Sequence, residues 1–245
     1  MATHRVLAAV AQLTSVPSVE TNIGVVVDLV RRAGAAGAKV LFLPEASDFI
    51  APASSVPDLS RPIVDGERND FVDIVKTAAR EADIYVNVCV HETPSQAESS
   101  GRCYNTNLVV SNMGDIVALY RKMHLFDVDL GPSGPTIKES NTTIPGTTLV
   151  APVVTPIGLL GLQTCYDLRF TQESNRLAKH GAQCLTYPSA FALHTGAAHW
   201  ELLLRARAVE NQCYVFGSAQ IGEHFPGRQS YGHAMIVDPW GSVVA

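Results

Sequence analysis

Short apolar runs recur along this chain, each followed by a longer stretch whose apolar residues fall at helical spacing, and this alternation restricts the fold more than any other feature. Residues 6–12, 39–43, 84–90, 107–111 and 116–120 read as strands, with helices over 22–35 and 70–82 between the first three. The 22–35 helix carries Val25, Val26, Leu29 and Val30 on one side and ends on Arg31 and Arg32, where cations complement the helix dipole. The second half repeats the rhythm: strands at 149–154, 159–164, 183–187 and 213–219, helices to about His180 and over 196–210, and a last hairpin turning at Asp238-Pro239-Trp240-Gly241. Two such halves, with both faces of each sheet covered, predict a layered α/β or α+β sandwich forming a single domain over 1–245. Between the halves, residues 122–145 are rich in Gly, Pro, Ser and Asp without a clear period, and irregular segments of that length in compact domains usually serve function.

Composition removes whole classes. With 47% hydrophobic and 17% charged residues the chain can bury a large core, which argues against disorder. Eighteen Lys and Arg against 23 Asp and Glu give a formal charge of −5, which offers no footprint for nucleic acid. Arg5 and the apolar residues 6–11 imitate a secretion signal, but Gln12 ends the run far short of a membrane-spanning length of about 18 residues, so no membrane association is expected. The cysteines at 89, 103, 165, 184 and 213 are odd in number and widely spaced, as reduced thiols of a cytoplasmic protein would be, with mitochondria as a second location. His194 and His199 lack the i, i+4 spacing of a helical zinc pair, and no phosphate-cradling glycine loop occurs, so neither metal nor organic cofactor is expected.

Three chemically active residues directly follow apolar strands: Glu45 in Leu43-Pro44-Glu45-Ala46, Lys122 in Tyr120-Arg121-Lys122-Met123, and Cys165 in Gln163-Thr164-Cys165-Tyr166. Strand ends are where a rigid sheet can fix catalytic groups while loops admit substrate. A thiol nucleophile, a carboxylate that shuttles its proton and an ammonium that steadies an oxyanion make a complete hydrolase set. Taken singly, each residue also has a structural reading: a solvated carboxylate, a solvated ammonium and a small buried hydrophobe.

These segments, with Arg121-Lys122-Met123-His124-Leu125-Phe126-Asp127 and Cys165-Tyr166-Asp167-Leu168-Arg169-Phe170, resemble the three catalytic blocks of the nitrilase superfamily of carbon-nitrogen hydrolases. Lys138-Glu139-Ser140, Tyr187-Pro188-Ser189-Ala190-Phe191, Thr195-Gly196-Ala197-Ala198-His199-Trp200-Glu201 and Tyr231-Gly232-His233 extend the likeness to its Nit subfamily, on the side of the fungal deaminated glutathione amidases. The resemblance implies a four-layer αββα sandwich, homodimers or higher homo-oligomers, and a triad of Cys165 as nucleophile, Glu45 as base and acid, and Lys122 as oxyanion stabiliser. It gives Glu139 as a second glutamate that orients Lys122 or the substrate amide, and the backbone N–H of Tyr166 as a second oxyanion donor.

The implied reaction is hydrolysis of a primary amide of a small 2-oxo acid, deaminated glutathione first, without cofactor. An ω-amidase acting on 2-oxoglutaramate or 2-oxosuccinamate and a weakly catalytic binding or signalling module are the alternatives. Arg169 is expected to clamp a substrate carboxylate, unless it pairs with Asp167 or Glu173, and Ser189, Phe191 and Thr195 are expected to line the same cleft. Trp200, Leu203, Leu204 and Arg207 face either a partner subunit or the core. Relatives carry Pro-Glu where this chain has Thr171-Gln172-Glu173, which should loosen the following helix, and they extend beyond the point corresponding to Ala245.

Overall fold

The computed structural model describes residues 5–63, 68–94, 101–129 and 136–245. The chain opens with β1 (Leu7–Val10) and the two-residue β2 (Gln12–Leu13), turns into α1 (Val19–Ala35) and returns as β3 (Ala38–Phe42). A short helix α2 (Val56–Leu59) precedes α3 (Asp70–Glu81), after which β4 (Tyr85–Glu92), β5 (Tyr104–Val110) and β6 (Ile116–Arg121) complete the first half. Within 122–145, where an irregular loop was expected, β7 (Asp127–Asp129) and β8 (Thr136–Lys138) pair antiparallel, and residues 130–135 lie outside the described set. The second half contains β9 (Val153–Thr155), β10 (Gly158–Leu162), α4 (Thr171–Lys179), β11 (Cys184–Thr186), α5 (Leu193–Asn211), β12 (Tyr214–Gly217), β13 (Ala219–Phe225), β14 (Arg228–Tyr231) and β15 (Met235–Val237).

Two five-stranded sheets result, in the orders β1-β3-β4-β5-β6 and β15-β12-β11-β10-β9. Strand periodicity decides which residues go where, because successive side chains leave opposite faces. Leu41 and Leu43 point into the core that α1 and α3 cover, whereas Val40 and Phe42 point between the sheets. In the second sheet Leu185 joins the core under α4 and α5, while Leu160, Leu162 and Cys184 meet the first sheet. Phe42 and Phe216 stack across that seam with centroids 4.3 Å apart and planes 13° from parallel. The layer order is therefore helix, sheet, sheet, helix, as the αββα expectation has it.

Local chemistry sets the element ends. Ser18 caps α1 by accepting from Thr21 N–H at 3.2 Å, so the helix begins earlier than the apolar pattern indicates. Its buried stripe is Val26, Val30 and Ala33, an i, i+4, i+7 row, and Val25 is exposed. The expected strand over 213–219 is two strands: β12 in the second sheet, then β13, which leaves it. β13 pairs parallel with β2 and antiparallel with β14, so a third sheet ties the N-terminal segment to the second half. No alternating apolar pattern marks β13 or β14, whose Glu223, His224, Arg228 and Gln229 are polar.

Candidate active site

Strand ends from both halves converge on one cavity. Glu45 lies just beyond β3 and Lys122 directly follows β6, whose paired neighbour β5 supplies Asn105. Lys122 Nζ sits 2.9 Å from Glu45 Oε1 and 2.9 Å from each oxygen of Glu139. Glu45 Oε1 also accepts from Asn105 Nδ2 at 2.7 Å, and its Oε2 accepts from the Ala190 backbone N–H at 2.9 Å. Glu139, at the start of the 3-10 turn after β8, accepts a further bond from Phe126 N–H at 2.7 Å, so it clamps Lys122 and is itself clamped.

Cys165 opens a 3-10 turn between β10 and α4 with φ of +48°, a left-handed conformation that costs a non-glycine residue about 1–2 kcal/mol. Its N–H donates to Pro188 O at 3.0 Å, and Thr164 with Asp167 forms a reciprocal cap that holds the turn. Asp167 is fully buried and does more: it accepts from Tyr120 O–H at 2.7 Å and His124 N–H at 3.0 Å, and lies 2.7 Å from His124 Nδ1. One carboxylate thereby locks the Cys165 turn to the residues flanking Lys122. The first bond closing the turn runs from Asp167 N–H to Thr164 O, so Tyr166 N–H precedes the turn's own hydrogen bonding. Gly146 N–H donates to Lys122 O at 2.8 Å, an approach only glycine permits, since a Cβ there would stand 2.2 Å from Arg121 O.

Charge states follow from this arrangement. Burial by itself would raise the Glu45 carboxyl, but the Lys122 ammonium and hydrogen bonds from Cys165, Lys122 and Asn105 outweigh it and hold the group below the usual range. Burial would likewise lower Lys122, and Glu139 and Glu45 reverse that and push it well above. Cys165 is pushed up, by burial first and then by the Glu45 carboxylate. The resting site therefore holds a neutral thiol within hydrogen-bond reach of an ionised carboxylate, beside an ammonium.

The cavity encloses about 430 Å³, within the range of small-molecule sites. Sequence comparison gives this arrangement its relatives. Residues 7–245 match the carbon-nitrogen hydrolase family. The chain belongs to that family. It is 47% identical to the deaminated glutathione amidase of Bos taurus over 98% of this chain and 72% of that one. It is also 47% identical to the probable hydrolase nit2 of Schizosaccharomyces pombe, covering 98% and 85% of the two chains. The crystal structure of the C. elegans NitFhit protein superposes with a TM-score of 0.90 at 43% identity, over all of this chain and 58% of that one. Saccharomyces cerevisiae Nit3, a member of branch 10 of the nitrilase superfamily, superposes at 0.86 with 30% identity, over 97% and 84%.

In this carbon-nitrogen hydrolase the remaining expected residues divide. Tyr166, Arg169, Phe191 and Thr195 line the cavity. Arg169 pairs with neither Asp167 nor Glu173; it lies 3.2 Å from His199 Nδ1 and over the rings of Tyr166 and Phe191, at 5.6 and 5.9 Å. Ser189 is not a cavity residue: it is buried, its Oγ donates to Tyr187 O at 3.0 Å, and its backbone bridges to β13. The next residue along reaches the site instead, through the Ala190 N–H on Glu45. Trp200, Leu204 and Arg207 are buried within the chain, with Leu203 packed on the same core, so the core alternative holds for that face of α5. The start of α4 lacks a side-chain cap at Phe170, yet Thr171 Oγ1 donates to Glu210 on α5 at 3.1 Å and ties it down without proline.

The site also uses residues that carry no motif. Asn105 and the Ala190 N–H fix both oxygens of Glu45, and Gln220 on β13 donates to Glu45 O at 2.9 Å. Arg228 on β14 joins the cavity wall. A buried polar strand residue such as Asn105 is a usable signal; a backbone N–H leaves none.

Proposed function

We propose that this hydrolase cleaves deaminated glutathione at the amide that joins its 2-oxo acid to the rest of the molecule, through a thioester on Cys165. The observation that carries the reading is the convergence of Cys165, Glu45 and Lys122 in one cavity that Arg169 also lines. Identity to amidases over most of both chains supports the substrate, and the cavity's volume accommodates a peptide-like amide.

Cys165 Sγ attacks the amide carbon while Glu45 takes the thiol proton, so the sulfur acts as a thiolate only as the bond forms. The oxygen that gains the electron pair is stabilised by Lys122 Nζ and Tyr166 N–H. Glu45 then gives its proton to the amide nitrogen and the C–N bond breaks. The amides of deaminated glutathione are peptide bonds, so an amine departs, where a primary amide would release ammonia. Glu45 next deprotonates a water that attacks the thioester; the C–S bond breaks, the departing thiolate takes that proton back from Glu45, and the free 2-oxo acid is released. Glu139 acts as a positioning residue that keeps Lys122 aimed. Arg169 holds the 2-oxo acid's carboxylate with a planar fork suited to it.

Cys165→Ala should abolish release of the 2-oxo acid, measured by a coupled assay, with unfolding unchanged. Wild-type turnover in Cys165→Ser would overturn the mechanism. Five buried, unpaired cysteines support a reducing compartment such as the cytoplasm. We also assign a homodimer contact to the patch where Val209, Tyr214 and the 89% exposed Trp240 adjoin.

A further inference from the structure

The buried cluster holds two carboxylates, Glu45 and Glu139, against a single ammonium, Lys122. Deaminated glutathione brings two more negative charges, the carboxylate of its 2-oxo acid and the carboxylate of its terminal glycine. A cavity with an excess carboxylate repels such a dianion unless cations stand where its charges arrive. Arg169 meets one of them. The other wall offers a second guanidinium, Arg228, on β14.

Arg228 is built into place. Its Nη1 donates to Gln229 O at 2.9 Å and its Nη2 to Ala190 O at 3.4 Å, so the half-buried side chain is anchored to the same residue whose N–H fixes Glu45. Among the described residues no carboxylate lies within ion-pair distance of it. Glu223, the acid on the same hairpin, accepts from Gly227 N–H instead. A guanidinium held by backbone carbonyls on a cavity wall, with N–H donors left over and no acid to meet them, is arranged for an incoming carboxylate.

The two arginines are not equivalent. Arg169 sits on the turn that Cys165 opens, so it stays with the acyl group throughout the thioester stage. Arg228 comes from a different sheet and suits the part of the substrate that departs first. Resting on the function proposed above, we infer that Arg228 binds the distal, glycine carboxylate of deaminated glutathione and so selects peptide-like amides over short ω-amides. Lys138, a further cation on the wall, is exposed and makes no comparable anchor among the described residues.

The test is a cycle between protein and substrate: wild type and Arg228→Gln, each assayed with deaminated glutathione and with the analogue whose terminal carboxylate is a carboxamide. Removing either partner should lower kcat/KM by about 10- to 100-fold, mostly through KM, and removing both should cost no more than removing one. Lys138→Gln should keep the full preference for the free acid. Additive losses, or an unchanged kcat/KM for deaminated glutathione in Arg228→Gln, would overturn the assignment, as would loss of the preference in Lys138→Gln instead. A wild-type protein that leaves deaminated glutathione untouched would overturn the substrate reading itself, an outcome distinct from any of these. Folding of Arg228→Gln is checked separately by its unfolding profile, which should match wild type, and Arg228→Lys, which keeps the charge but not the fork, should recover part of the preference.

Discussion

Lys122 is the residue on which the site's electrostatics turn, because it alone offsets two carboxylates in a nearly water-free setting. Lys122→Met should cost about 3–5 kcal/mol of stability at neutral pH, since both acids lose their counter-charge, and should abolish turnover. In the wild type Glu45 lies below its unfolded value, so its contribution to stability is present above the ordinary carboxylate range and lost as pH falls through the depressed value. Without Lys122 burial dominates and the shift reverses, so the stability gap between the two proteins should widen with rising pH and narrow toward acid. Urea unfolding of both proteins across the acid to neutral range measures this; a gap independent of pH would contradict it. At this scale the sequence singled out Cys165, Glu45, Lys122 and Glu139, which the structure brings to one cavity. It did not disclose Ala190, which acts through its backbone, and it put Ser189 in the cleft because a one-residue step at a strand end exchanges the two faces.

Among elements, the turn from Cys165 to Arg169 carries the most consequence. Its left-handed first residue is held by Asp167, whose hydrogen bonds reach Tyr120, His124 and Thr164. Asp167→Asn keeps the shape but turns an amide donor toward neighbours that themselves donate. The expected result is a loss of about 1–3 kcal/mol in chemical unfolding and a fall in kcat larger than any rise in KM, because Cys165 opens the turn while Arg228, on β14, lies outside it. A KM effect alone would contradict the positioning role. Element boundaries were legible where periodicity spoke, as in α3 and β3, and illegible where pairing came from distant chain. β13 and β14 gain their order from β2 and from each other, and Arg228 was hidden with them.

Across the whole molecule, two sheets pack through an apolar seam and present different exposed surfaces. Outside, Trp240 with Val209 and Tyr214 is the patch proposed as a dimer contact, and on that proposal Trp240→Glu should shift sedimentation toward monomer at assay concentration while leaving Cys165 labelling by substrate intact. An unchanged sedimentation profile would place the contact elsewhere. The layer order was readable from the repeated strand-helix rhythm. The closing pair between β2 and β13 was not, since two residues at the start of the chain give no local sign of a partner more than two hundred positions away.

That division of labour has a consequence for the chain before it is finished. Base and cation come from the first half, the thiol from the second, and only docking of one layer on the other brings them together. A nascent or partly opened molecule therefore keeps its sulfur away from its activator, and hydrolytic power arrives only when the two layers dock and is lost when they part.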